Sequence, residues 1–187
     1  MKKIVLCLFI ACLAVSAFGQ GRNFEAEDTP SGIIIKDYIG TSKDVVIPDE
    51  VNGKPIIAIR DGAFKEKQLL SVKLGKNIAT IGKEAFFRNQ ISEIVIPESV
   101  TSIAEDAFRS NRITKVTIPN GTVIRGNAFG SNQIVEVNIG VNVSIIANSF
   151  GGIGFELFYN NASKKAAGTY VRENTNVTTW SRGVFTF

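Results

Sequence analysis

Apolar residues return along this chain at a nearly constant interval. Ala63-Phe64, Ala85-Phe86, Ala107-Phe108 and Ala128-Phe129 are followed by an altered copy, Ser149-Phe150, and the phenylalanines stand 22, 22, 21 and 21 residues apart. Ile59, Ile81, Ile103, Ile124 and Ile145 keep the same beat, each five residues ahead of one of those rings. A period of this length marks a unit too small to bury its own apolar face, so successive units must stack and share one continuous core. Such a stack builds extended surfaces more readily than enclosed catalytic pockets.

The third copy, Ile91 to Phe108, shows the anatomy of one unit. Ile94 and Ile96 alternate with Val95, and the β-branched enrichment predicts a short strand with both isoleucines inward. The same inward slots hold Val45 and Ile47, Val72 and Leu74, Val116 and Ile118, and Val137 and Ile139. Pro48, Pro97 and Pro119 stop three of these strands, because proline has no N–H for the ladder, and Gly75 and Gly140 stop the other two. A second short extended piece is expected around each isoleucine of the beat. The stretch from Gly82 to Phe87 then has room for one helical or 3₁₀ turn that sets Ala85 and Phe86 against the core.

Three residues beyond the ring the pattern turns polar. Asn89, Asn111 and Asn132 share one slot, each followed two residues later by Ile91, Ile113 or Ile134. An amide enclosed by apolar positions in every unit is expected to be buried as a ladder, offering donors and an acceptor to the backbone of neighbouring coils. The first unit has Lys67 there and the last Ile153, which marks the ends of the stack.

The motif Ile94-x-Ile96-Pro97-x-x-Val100-x-x-Ile103-x-x-x-Ala107-Phe108-x-x-Asn111-x-Ile113 resembles the BspA-type leucine-rich repeat of exported surface proteins in treponemes and Bacteroides-group bacteria. The resemblance covers about residues 32 to 159; where that family often has Cys after Ala-Phe, this protein has Asn. It implies a right-handed solenoid with a parallel sheet on the concave side, short helical or 3₁₀ turns and mostly β structure. It also implies surface display and, for some members, attachment to host matrix proteins or other bacteria. The tail from Phe155 to Tyr159, with Lys164 to Tyr170 and Trp180, is similar to the C-terminal segment of treponemal members.

The expected organisation is a signal peptide over 1–19, an N-terminal strand or hairpin cap over 20–44, about five coils of 21–22 residues over 45–154, and an aromatic C-terminal cap over 155–187. Lys2 and Lys3 precede an apolar run from Ile4 to Phe18, shorter than the roughly 20 residues a membrane-spanning helix needs. Cleavage after Ala17 or Gly19 would remove Cys7 and Cys12 and leave a mature protein without disulfides. The alternative is lipid attachment at Cys12, against which the apolar run continuing past that residue argues. No integral membrane span is expected in the mature protein.

Composition narrows the chemistry. The sequence has 21 basic and 17 acidic residues; without Lys2 and Lys3 the balance is 19 to 17, a net +2 with mixed signs, unlike the clustered basic face of a nucleic-acid binder. It has no histidine, so with no mature cysteine the usual zinc sites and Ser-His or Cys-His nucleophiles are excluded. Acid pairs such as Glu105-Asp106 and Asp49-Glu50 read as solvated turns, and Gly151-Gly152-Ile153-Gly154 lacks a P-loop ending. The Asn-x-Ser/Thr sequons at Asn120, Asn142, Asn161 and Asn176 read as turn and tail residues behind a bacterial type of signal peptide. No catalytic, cofactor or metal site is expected.

The remaining candidate surface is the outward side of the strands. One file reads Lys73, Val95, Thr117, Asn138 and Phe158; its neighbour reads Ser71, Glu93, Lys115, Glu136 and Glu156, whose alternating charges suit a self-paired sheet. The file of Lys73, Val95, Thr117, Asn138 and Phe158 is the expected protein-binding surface. The functional expectation is an exported, adhesin-like module binding a protein ligand such as a host extracellular-matrix protein; the alternative is an assembly partner within the bacterial envelope.

Overall fold

The computed structural model describes residues 23–146, 148–151, 155, 159, 167–173 and 180–182; the expected signal peptide lies outside them. The described part begins with an antiparallel pair, β1 (Phe24–Thr29) and β2 (Gly32–Tyr38). After β3 (Asp44–Val46), β4 (Glu50–Val51) and β5 (Lys54–Ile59), each coil adds one strand to either side of a flattened solenoid: β6 (Ser71–Lys73), β7 (Thr80–Ile81), β8 (Glu93–Val95), β9 (Ser102–Ile103), β10 (Lys115–Ile118), β11 (Val123–Ile124), β12 (Glu136–Ile139) and β13 (Ser144–Ile145). β14 (Gly168–Val171) and β15 (Ser181–Arg182) follow.

One sheet runs β1-β2-β5-β7-β9-β11-β13, parallel from β2 onward, with β4 attached to β5. The other side carries β8, β10 and β12 in parallel and then β14 and β15 antiparallel, whereas β3 and β6 form a separate parallel pair. The N-terminal hairpin therefore lies over the first coil by extending the sheet of the second strands. The longer first coil is absorbed by the β4–β5 hairpin. Its two-residue loop, Asn52-Gly53, has φ of 52° and 75°, the paired positive values of a type I′ turn, for which Asn-Gly is the preferred sequence.

Around the Ala-Phe corner the backbone turns without forming a helix. Gly62, Glu84, Asp106, Asn127 and Asn148, each two residues before a ring, have φ between 54° and 69°. A left-handed residue there points the following N–H groups at the next coil. Phe64, Phe86, Phe108 and Phe129 each donate their N–H to the carbonyl of residue 85, 107, 128 or 149 at 2.7 Å. The corner is thus a third hydrogen-bonded face, and its repeated inter-coil bonds offset the roughly 1–2 kcal/mol that a non-glycine residue gives up in this conformation.

The rings form a column. Phe64, Phe86, Phe108, Phe129 and Phe150 stack at centroid distances of 4.8, 5.0, 5.3 and 5.3 Å with interplanar angles of 15°, 5°, 3° and 17°. Tyr38 and Phe24 close one end; at the other, Phe155 meets Phe150 edge-on at 4.9 Å and touches Tyr159, Tyr170 and Trp180, all buried. Arg172 is buried beside this cluster, its Nε donating to the Ile134 carbonyl at 2.7 Å and its guanidinium 5.3 Å from the Trp180 ring.

Beside the column run the amides. Asn111 Oδ1 accepts from the Ile91 N–H at 3.1 Å, and its Nδ2 donates to the carbonyls of Phe86 (2.8 Å) and Phe108 (3.0 Å). Asn89 does the same with Leu69, Phe64 and Phe86, and Asn132 with Ile113, Phe108 and Phe129. Asn89 and Asn111 are buried, Asn132 half-buried. In the first coil Lys67 turns outward instead, pairing with Asp37 at 2.8 Å.

Candidate protein-binding face

Strand geometry sends alternate residues outward. Along β3, β6, β8, β10 and β12 one outward file is Asp44, Ser71, Glu93, Lys115 and Glu136, and the other is Val46, Lys73, Val95, Thr117 and Asn138. The first file bonds within itself. Ser71 Oγ donates to Asp44 Oδ1 at 2.5 Å, and the Lys115 ammonium lies 3.1 Å from Glu136 Oε1. That hydrogen bond, with the charges of Glu136 and Glu93, holds the Lys115 ammonium above the usual lysine range.

The second file divides in two. At its C-terminal end Asn138 Nδ2 donates to Glu136 Oε1 at 3.1 Å, and Asn138 Oδ1 accepts from Thr169 Oγ1 on β14. Thr117 and Asn138 are half-buried. The place beside Asn138 is filled by Thr169, because β14 returns antiparallel along β12; Phe158 and Glu156 lie outside the described residues. Asn138 therefore has a structural duty that the sequence pattern did not reveal.

The N-terminal end is open. Val46 is 42% exposed and Val95 58%, and Lys73 between them is exposed and, among the described residues, in no ion pair. β6 bonds only to β3, and β8 only to β10, so the sheet is interrupted between them. The bonds Ile47 N–H to Lys73 carbonyl (2.8 Å) and Ile96 N–H to Thr117 carbonyl (3.0 Å) recur on either side of this seam. No equivalent bond joins Leu74 to Val95.

The end of β6 is drawn toward the first coil. A Cβ on Gly75 would lie 2.4 Å from the Pro48 carbonyl oxygen, and Asp49 takes the Lys76 N–H at 2.8 Å and the Lys76 ammonium at 3.0 Å. The Lys76 N–H, more than its ammonium, holds the Asp49 carboxyl below the usual carboxylate range. A groove follows the seam, lined by Lys73, Leu74, Lys76, Glu93, Val95 and Pro97. Inward Val72 and Leu74, at 9% and 7% exposure, are the least covered of the inward residues on β6 to β12. Sequence reasoning named Lys73 and Val95 but missed Val46 and the groove. The available signal was the pair of outward valines in an otherwise polar file.

The carboxylates of the Glu105-Asp106 turn are held in ion pairs. Glu105 pairs with Lys83 at 3.1 Å and Asp106 with Arg109 at 3.3 Å. Among the described residues no group of three His, Cys, Asp or Glu side chains could hold a metal ion, and no helix is long and apolar enough to cross a membrane.

The repeat architecture decides the family. Residues 41–161 match the model of the BspA type leucine rich repeat region, in six copies. The protein belongs to this family. The BspA-type leucine-rich repeat points to a protein–protein interaction module, and such repeats are typically non-enzymatic binding units. Among solved structures, the protein is similar to a leucine-rich repeat protein of Treponema pallidum, with 19% identity over 79% of this sequence and 98% of that one and a TM-score of 0.42. None of the curated proteins matches it.

Proposed function

We propose that this BspA-type repeat protein is an exported binding module, adhesin-like, displayed on the cell surface or secreted, that takes a protein ligand across the outward face of β3, β6 and β8. The observation that carries the reading is the open end of the second file. Val46 and Val95 present apolar area beside an ammonium that has no ion-pair partner among the described residues, next to a groove whose floor reaches the inward side chains Val72 and Leu74. Burying exposed apolar area drives association at roughly 25 cal/mol per Å², and Lys73 adds a charge that selects an acidic group on the partner. The apolar run from Ile4 to Phe18 behind Lys2 and Lys3 supports export.

A host extracellular-matrix protein is the partner this reading favours. Purified residues 20–187 should bind immobilised matrix proteins directly in a surface-binding assay and gain little from whole-envelope extract of the source organism. Binding to a component of that extract, with none to any matrix protein, would replace the adhesin reading with an assembly role in the envelope.

A further inference from the structure

Two Asn-Gly steps occur in the sequence, Asn52-Gly53 and Asn120-Gly121, and the fold treats them differently. Asn-Gly is the sequence most open to intramolecular attack on a side-chain amide, because glycine has no Cβ to hinder approach of its own backbone nitrogen. Both steps lie on exposed turns and both glycines have positive φ, 75° and 68°. Sequence and exposure alone would make them equivalent.

Hydrogen bonding separates them. At the second step Val141 of the next coil holds both reacting groups: its N–H donates to Asn120 Oδ1 at 2.8 Å, and its carbonyl accepts the Gly121 N–H at 2.9 Å. The space around the amide is also closed, since a Cβ on Gly140 would lie 2.4 Å from Asn120 Oδ1. At the first step the Asn52 side chain and the Gly53 N–H have no such partner among the described residues, and nothing lies within 4 Å of the place a Gly53 Cβ would take. The loop is held only through β4, two residues long, whose ladder must open briefly for the nitrogen to turn toward the side chain.

We propose that Asn52 is a site of spontaneous deamidation in the folded protein and that Asn120 is protected by Val141. Hydroxide removes the Gly53 amide proton, and the nitrogen forms a bond to Asn52 Cγ. The bond between Asn52 Cγ and Nδ2 breaks, and Nδ2 departs as ammonia after taking a proton from water, leaving a five-membered imide. Water then adds to one imide carbonyl and breaks that carbonyl's bond to the ring nitrogen. The product at position 52 is an aspartyl residue, or an isoaspartyl residue with an extra backbone carbon. Either adds a negative charge beside Glu50, and the isoaspartyl form lengthens the loop that sets the Glu50 to Pro55 and Val51 to Lys54 register.

The test is incubation of residues 20–187 in mildly alkaline buffer, with digestion and mass spectrometry following the loss of each asparagine over time. A parallel sample held unfolded in denaturant fixes the intrinsic rates. The unfolded protein should convert the two steps at similar rates. The folded protein should convert Asn52 roughly thirtyfold faster than Asn120, the factor expected when two hydrogen bonds of about 1 kcal/mol each must be broken. Equal rates in the folded protein, faster loss at Asn120, or no loss at Asn52 under conditions where the unfolded sample reacts would each overturn the proposal.

Discussion

Phe108→Ala should lower the unfolding free energy by about 3–5 kcal/mol, the range found for deleting a large aromatic from a packed core. Phe108 is fully buried, with Phe86 stacked at 5.0 Å on one side and Phe129 at 5.3 Å on the other, so truncation opens a void that neither neighbour can fill without leaving its own stack. The ring separations also match offset stacking, which adds to area burial. In a linear array each coil is held by its neighbours, so a break in a central coil removes two interfaces at once. Phe150→Ala should cost less, since Phe155 meets its ring edge-on at 69° where a central ring is stacked on both sides. Denaturant titrations of both variants check this; equal losses would show that the stack continues undiminished past Phe150.

Asn111→Ala should be comparably damaging, although it removes far less volume. The substitution leaves the buried Ile91 N–H without its side-chain partner and removes one of two amide donors from each of the Phe86 and Phe108 carbonyls, which keep Asn89 and Asn132. At roughly 1–3 kcal/mol for the buried N–H left unpaired and about 1 kcal/mol for each of the two carbonyl bonds lost, the expected loss is about 3–5 kcal/mol. Asn132→Ala should cost less, because Asn132 is half-buried and water can replace part of its bonding. Asn111→Asp is the informative control. It keeps the shape and the acceptor but points a carboxylate at two carbonyls, so it should destabilise near neutral pH about as much as alanine. A well-tolerated Asn111→Asp in the same titrations would show that the donor half of the amide contributes little.

Both residues were legible in the sequence because each answers a constraint repeated in every coil. Phe108 and Asn111 fall in register with their counterparts, so period alone places them on shared core columns, and alternation around Ile94 and Ile96 places the strand and its outward side. What escaped was aperiodic. The seam between β6 and β8 follows the point where Gly75 and Lys76 are held to Pro48 and Asp49 of the preceding coil, a tie repeated where Gly140 and Val141 meet Asn120 but not in every coil. The return of β14 along β12 comes from a segment without the period, so nothing in the pattern could supply Thr169 as the partner of Asn138. Glu84 and Arg88 are ordinary helix formers, and their left-handed conformations at φ of 54° and 53° follow from the inter-coil bonding of the corner rather than from local preference. β1 was likewise unmarked, because Phe24 to Thr29 carries acidic residues at an exposed edge, where they discourage pairing with another molecule.

The binding reading rests on the open end of the second file, and one measurement bears on it most directly. A combined Val46→Glu, Lys73→Glu and Val95→Glu variant of residues 20–187 is compared with the parent and with Lys36→Asp, a charge change at the exposed position of β2 in the other sheet. All three are titrated against an immobilised matrix protein that retains the parent, and their unfolding midpoints are measured in parallel. The expected result is a loss of affinity of roughly a hundredfold or more for the combined variant, as when interface anchors are removed together, with parent-like binding by Lys36→Asp and unchanged midpoints for both. A folded combined variant that binds as well as the parent would contradict the assignment of this face.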